Sequence, residues 1–170
     1  MDLAFLRNHP LTFGLKAEQL KHFGSLLEPV ELAVGDEILG EGIPAKGLFL
    51  FRSGHLRVSQ KGEKGGPAAR ALAELEAPTV VGELELLSGS PGAATVVATT
   101  AASGALFSAD AFARLVDAAD PVVTKLLRNI ARVLAQRLLA TNKRVGTLLA
   151  STKQAELAAL AGDVGHAWNP

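Results

Sequence analysis

The spacing of hydrophobic positions changes twice along the chain, near residue 30 and again near residue 108. Within residues 16–27 the apolar side chains recur every three or four positions, which predicts a short amphipathic helix. Across residues 30–107 short apolar runs are separated by glycine-bearing turns, which predicts several short strands. After Ser108 the helical spacing returns. The pattern therefore predicts one helix, then a compact β-domain, then further helices.

Strands that follow one another without intervening helices favour a barrel or a sandwich over a parallel sheet with crossover helices. The apolar run of residues 48–51 and the Leu-Arg-Val segment of residues 56–58 lie on either side of Ser53 and Gly54, and we predict a hairpin there. Residues 61–67 are polar and rich in glycine, so we predict a loop at that point.

Two helices are predicted after the β-domain. Ser108 is a suitable N-cap for a short helix that extends through Val116. Asp120 and Pro121 suit the start of a longer helix, which we expect to run to about residue 144. The stripe of this helix follows steps of three or four and comprises Val123, Leu127, Ile130, Leu134 and Leu138, with Thr141, Val145 and Leu148 continuing the same steps.

A second apolar row widens the stripe of the long helix; it consists of Leu126, Val133 and Leu139. We expect one row to face the body and the other to face a partner helix, which predicts a homodimer. Gly146 is expected to break the helix, followed by a last short helix over residues 151–160 and a tail.

Charge is segregated along the chain although the total is zero. Residues 1–120 hold ten Lys and Arg against fifteen Asp and Glu, whereas residues 121–150 hold six basic residues and no acid. A basic segment attracts acidic partners. It therefore leaves open a binder of nucleic acid or of an acidic protein, through Lys125, Arg128, Arg132, Arg137, Lys143 and Arg144.

Several classes of protein do not fit the composition. The chain has no cysteine, which excludes disulfides, thiolate metal sites and thiol catalysis. Its four histidines are scattered, and neither a nucleophile elbow nor a phosphate-binding Walker loop is present, so we expect no metal and no enzymatic activity. Neither a secretory signal nor an apolar run of membrane-spanning length is found, so we expect a cytoplasmic protein without a membrane segment.

Two runs resemble the cyclic nucleotide-binding domain family. Residues 35–58 are similar to the family's opening strands, with glycines at the expected turns. Residues 81–96 are similar to its phosphate-binding cassette, which often reads G-E-[LIM]-[AGS]-L and ends in P-R-[ASTV]-[AS]. Residues 137–146 resemble the end of the dimer helix in catabolite activator proteins. The resemblance implies an α+β fold, in which a glycine-rich antiparallel β-roll (a double-stranded, jelly-roll-like β-helix) is flanked by an N-terminal helix and a long C-terminal helix.

The resemblance also implies a pocket for cAMP or cGMP. Its cassette residues are Gly82, Glu83, Leu84, Gly92 and Ala93. Glu83 matches the family's glutamate that accepts the ribose 2′-hydroxyl. Thr141 matches the helix residue that reads the base, and Asn142 stands where relatives often have serine.

The sequence departs from the family at Gly92, which stands where the family has the arginine that pairs with the phosphate. Losing one partner of such a charge pair costs about 2–5 kcal/mol, or roughly 30- to 3000-fold in affinity. We therefore expect tight cyclic nucleotide binding to be lost. The alternative is a functional sensor in which another cation replaces this arginine; the candidates are Arg57, Arg70, Arg128 and Arg132.

The chain is thus predicted to be a non-enzymatic regulatory module that acts as a homodimer or through contacts with an unknown protein partner. We divide it into a β-roll with its helices over residues 1–120, a dimerisation helix over residues 121–146, and a short helix and tail over residues 147–170. The last part holds no complete winged helix, so DNA binding is not expected.

Overall fold

The computed structural model of the chain describes the backbone of residues 3–61 and 70–166, and the side chains of residues 4–61 and 70–152. The chain forms two compact units, residues 1–130 and residues 131–170. The first unit opens with helix α1 (Leu3–Arg7), a 3-10 turn (Pro10–Thr12) and helix α2 (Ala17–Ser25). The predicted loop over residues 61–67 lies almost wholly outside the described residues.

The β-domain is a β-roll of two antiparallel sheets, as predicted. Its strands in the described residues are β1 (Leu27–Leu32), β2 (Glu37–Leu39), β3 (Gly47–Ser53), β4 (His55–Gln60), β5 (Arg70–Glu76), β6 (Thr79–Val81), β7 (Thr95–Ala98) and β8 (Ala102–Ser108). One sheet has the order β1-β8-β3-β6 and the other has the order β2-β7-β4-β5. The register pairs Leu48 with Phe107 in the first sheet and Arg57 with Val97 in the second.

The two sheets enclose an apolar core because their strands turn alternate side chains inward. The buried core cluster consists of Leu39, Phe49, Phe51, Leu56, Val81, Val96, Ala98 and Ala102. Its members come from both sheets, so the core holds the sheets face to face and keeps the ends of β6 and β7 in place. The segment that joins these two strands is the predicted cassette.

The predicted hairpin at Ser53 and Gly54 is wrong. Strands β3 and β4 are consecutive in sequence but belong to different sheets, so the chain changes sheet at Gly54. Gly54 has a φ of 103°, and a β-carbon there would lie 2.7 Å from the Cα of Ala102. A hairpin and a change of sheet both need a turn glycine between two apolar runs, and only the pairing partners distinguish them.

The helices after the β-roll begin where the sequence predicts. In α4 (Ala109–Asp117) the hydroxyl of Ser108 accepts a hydrogen bond from the Ala111 N–H at 3.2 Å. Asp120 precedes helix α5 (Pro121–His166), and its Oδ1 accepts a hydrogen bond from the Val122 N–H at 2.7 Å. These contacts satisfy backbone donors that a first helical turn leaves without a partner.

The predicted break at Gly146 is absent, since α5 continues through this glycine to His166. An interior glycine costs a helix only about 1 kcal/mol, which good helix formers on both sides can offset. The short helix predicted over residues 151–160 is therefore part of α5. Of the predicted tail, residues 167–170 lie outside the described residues.

The start of α5 is part of the first unit. Val122, Val123, Leu126 and Ile130 are buried there. The buried Asn129 donates from Nδ2 to the carbonyl oxygens of Leu11 at 2.7 Å and Phe13 at 2.9 Å. Val123 and Ile130, two residues of the predicted dimer stripe, thus contribute to this unit's own core.

His9 is a buried structural histidine, with 2 % of its surface exposed. Its Nε2 lies 3.2 Å from the carbonyl oxygen of Thr79 in β6, and its Nδ1 accepts from the Leu11 N–H at 3.3 Å. These partners require a neutral ring that donates from Nε2. Burial lowers the pKa of His9 to about 4, against the weaker opposing effect of the Thr79 carbonyl.

Candidate ligand site

The cassette begins at Gly82, directly after β6. Gly82 has a φ of 90° and is buried. A β-carbon at this position would lie less than 3.0 Å from the carbonyl oxygen of Gly47, which starts β3. Only glycine permits both this backbone angle and this close approach. Helix α3 (Glu83–Ser88) follows and packs on β3.

The residues of α3 differ sharply in exposure. Glu83 is its first residue, and its side chain is buried with 3 % of its surface exposed. Leu84, which we predicted as a pocket residue, is 53 % exposed and points away from the core. The cassette therefore presents a buried carboxylate inward and an apolar side chain outward.

Gly92 is held by backbone hydrogen bonds to the turn between β2 and β3. Its N–H donates to the carbonyl oxygen of Ile43 at 2.9 Å, and its own carbonyl accepts from the Gly42 N–H at 2.8 Å. A β-carbon on Gly92 would lie less than 3.0 Å from the carbonyl oxygen of Gly40. The backbone of the turn thus occupies the space that any side chain at position 92 requires.

Ala93 donates its N–H to Oε1 of Glu85 at 3.1 Å. Glu85 lies on α3 and is half-buried, so a carboxylate of the chain itself caps this part of the cassette. Sequence reasoning missed Glu85. The signal was present, because the pattern G-E-[LIM]-[AGS]-L has a small residue where this chain has Glu85.

The arginines proposed as replacement cations lie beside residues outside the cassette. Nε of Arg57 donates to Oε1 of Glu74 at 2.7 Å across β4 and β5, and both side chains are more than half exposed. The guanidinium of Arg128 lies beside Gly14, at 3.2 Å from the position of an added β-carbon. Neither contact involves residues 82–95. Arg70 is exposed on β5, and Arg132 belongs to the second unit.

Thr141 and Asn142 lie in the second unit, where both are exposed residues of α5. Their role in reading a base stays a prediction. Among the residues that the structure describes, no group of three or more histidines and carboxylates is placed to hold a metal ion. Nor does any helix in the described ranges have the length and hydropathy needed to cross a membrane.

The described residues thus form a two-sheet β-roll with a glycine-headed cassette between β6 and β7. Residues 29–119 match the family model of the cyclic nucleotide-binding domain. The chain belongs to this family.

Comparisons with known proteins agree with this assignment. The chain is 32 % identical over 143 residues to Glutaminase 1 of Bradyrhizobium diazoefficiens, a match that covers 84 % of this chain and 22 % of that protein. It is 29 % identical over 122 residues to a cAMP-dependent protein kinase regulatory subunit of Aspergillus fumigatus, covering 72 % of this chain and 28 % of that protein. The chain thus spans about a quarter of the length of these curated relatives.

The fold is also similar to the crystal structure of the Thermus thermophilus catabolite activator protein. The TM-score is 0.67 with 25 % sequence identity, and the alignment covers 82 % of this chain and 62 % of that chain. This likeness confirms the predicted β-roll with flanking helices, together with the resemblance to effector domains of the catabolite activator type.

Proposed function

We propose that this chain is a non-enzymatic regulatory module of the cytoplasm that has lost tight binding of cAMP and cGMP and acts through a homodimer or another protein contact. The observation that carries the proposal is the closed environment of Gly92. The turn at residues 40–43 fills the space of a side chain there, so the departure from the family's arginine is accommodated by the surrounding backbone.

The charge of the cassette supports the same proposal. Residues 82–95 contain Glu83 and Glu85 and no Lys, Arg or His. A phosphate that entered this segment would meet two carboxylates without a neighbouring cation from the segment itself. Like charges in close contact cost several kcal/mol, in addition to the lost arginine contact. A micromolar site would therefore weaken at least to the millimolar range.

The alternatives have less support from the structure. A sensor with a substitute cation requires Arg57 to leave Glu74, or one of the other candidate arginines to reach the cassette. A binder of nucleic acid through the basic helix requires a continuous basic face. Lys125, however, donates to the carbonyl oxygen of Gly14 at 2.9 Å and to Oε1 of Gln19 at 2.7 Å. Its ammonium group is therefore held by hydrogen bonds within the first unit.

Isothermal titration of the full chain with cAMP and with cGMP tests the proposal. We expect no saturable heat up to about 1 mM ligand, the range to which a lost arginine contact moves a micromolar site. Micromolar binding that Glu83→Ala abolishes would overturn the proposal and establish a sensor. Glu28→Ala is the matched control, because it removes an exposed carboxylate of β1.

A further inference from the structure

We propose that Glu85 is a specificity-determining residue of the cassette, whose carboxylate takes the place of a ligand anion at the Ala93 N–H and so excludes phosphate-bearing ligands. This inference rests on the proposed function and deepens it. The proposed function rests on the missing arginine, and this inference adds that Glu85 competes with a ligand anion for the Ala93 N–H.

The contact has the geometry of a charge-assisted hydrogen bond. The Ala93 nitrogen lies 3.1 Å from Oε1 of Glu85, and the two residues are eight positions apart in the sequence. Glu85 also belongs to the closing turn of α3, because its carbonyl oxygen accepts from the Gly89 N–H at 2.9 Å. The helix and its cap thus hold the backbone from which this carboxylate reaches Ala93. A backbone N–H carries one proton, so a ligand oxygen can bind there only after the carboxylate has left.

The neighbouring backbone donors are also engaged within the chain. The Gly92 N–H donates to Ile43 and the Gly42 N–H donates to Gly92. The Glu41 N–H donates to Oγ1 of Thr95 at 3.2 Å. A phosphate at this end of the cassette would therefore have to displace Glu85 or open the turn at residues 40–43. Displacing Glu85 is the smaller change, since it needs only a side-chain rotation.

The carboxylate also acts through its charge. Glu83 is already buried at the start of α3, and Glu85 adds a second negative charge to the same short helix. Occupation of the Ala93 N–H and the negative charge of Glu85 both exclude anions, but substitutions can separate the two effects. Glu85→Gln removes the charge and keeps an oxygen acceptor, whereas Glu85→Ala removes both.

Titration of full-length variants with cAMP tests the inference. With titrations extended to about 10 mM cAMP, we expect Glu85→Ala to bind at least about tenfold more tightly than the natural chain, because tenfold is well below the full effect of a removed like charge. Glu85→Gln should fall between the two, and Glu28→Ala should match the natural chain. Equal affinity of Glu85→Ala and the natural chain would overturn the inference. Circular dichroism of each variant verifies that it is folded.

Amide hydrogen exchange gives a second readout that needs no ligand. In the natural chain the Ala93 amide is protected by Glu85, and in Glu85→Ala we expect its exchange to be at least about tenfold faster relative to the Gly92 amide. An unchanged Ala93 amide would contradict the contact itself.

The titrations of the natural chain and of Glu85→Ala separate this inference from the proposed function. Micromolar cAMP binding by the natural chain overturns the proposed function, and the role of Glu85 then stands only if Glu85→Ala binds tenfold more tightly still. If neither the natural chain nor Glu85→Ala binds cAMP, the inference fails while the proposed function stands.

Discussion

The carbonyl oxygen of Gly40 lies less than 3.0 Å from the position that a β-carbon on Gly92 would occupy. Gly92 therefore differs from a surface position at which an arginine has merely been lost. Reintroducing a side chain there requires the turn between β2 and β3 to move, together with its two hydrogen bonds to Gly92.

We expect Gly92→Ala to lower the free energy of unfolding by about 1–3 kcal/mol, the usual cost of forcing extra atoms into a packed site. Urea denaturation followed by circular dichroism measures this change. Gly146→Ala is the control, because a β-carbon there meets no atom within 4 Å. That variant should be as stable as the natural chain or more so, by up to about 1 kcal/mol. Equal stability of Gly92→Ala and the natural chain would show that the turn yields easily.

Burial of His9 predicts a loss of stability in acid. The pKa of His9 is about 4 in the folded protein and 6.5 in the unfolded chain. Between these values the unfolded chain binds one more proton, so the free energy of unfolding falls as the pH drops from 6.5 toward 4. The full difference corresponds to about 3 kcal/mol.

Denaturation curves between pH 4 and pH 8 measure the contribution of His9. Replacing this residue, as in His9→Gln, should remove that part of the pH dependence. His22→Gln serves as control: it removes another histidine, whose Nε2 lies 3.0 Å from Oδ2 of Asp120, and it leaves His9 and its part of the pH dependence in place. The same slope in the natural chain and in His9→Gln would show that other groups cause the acid sensitivity.

Asn129 connects α5 to the N-terminal segment. We expect Asn129→Ala to destabilise the first unit by about 2–4 kcal/mol, because two carbonyl oxygens, of Leu11 and Phe13, lose their donor. Thermal denaturation or urea titration measures the difference. Asn142→Ala removes an exposed amide from the same helix and should change stability by less than about 0.5 kcal/mol. Similar effects of both substitutions would show that the buried amide contributes little.

The exposed stripe of α5 predicts a homodimer. In the second unit Leu138 is 60 % exposed, Val145 is 48 % exposed and Leu148 is 61 % exposed. Together with the half-buried Leu134 and the exposed Thr141, they alternate at steps of four and three, as in a coiled-coil seam. We expect a dimer in sedimentation at tens of micromolar chain, and we expect Leu138→Glu to shift it to monomer.

Gln136→Glu is the matched control for the dimer, because it adds the same charge at an exposed position outside the stripe. It should leave the dimer intact. A monomeric natural chain would contradict the prediction, and so would a dimer that persists in Leu138→Glu.

Local features of the fold were predictable because they depend on residues close in sequence. The caps at Ser108 and Asp120 were predicted correctly, since a helix start needs only a suitable side chain within its first turn. The predictions of a hairpin at Gly54 and of a helix break at Gly146 were wrong because each outcome depends on residues outside the local segment. The first depends on which distant strands pair, and the second on the balance between one glycine and the whole helix.

Residue types and their spacing predict the order of helices and strands, whereas the resemblance to the family identifies the cassette and the glycine in place of its arginine. Tertiary packing decides the rest. It brings the turn of residues 40–43 against Gly92 and buries Val123 and Ile130 in the first unit. It also turns Glu85, an ordinary charged residue in the sequence, toward the N–H of Ala93. Such contacts join segments whose separation along the chain carries no periodic signal, so they emerge only once the sheets have packed.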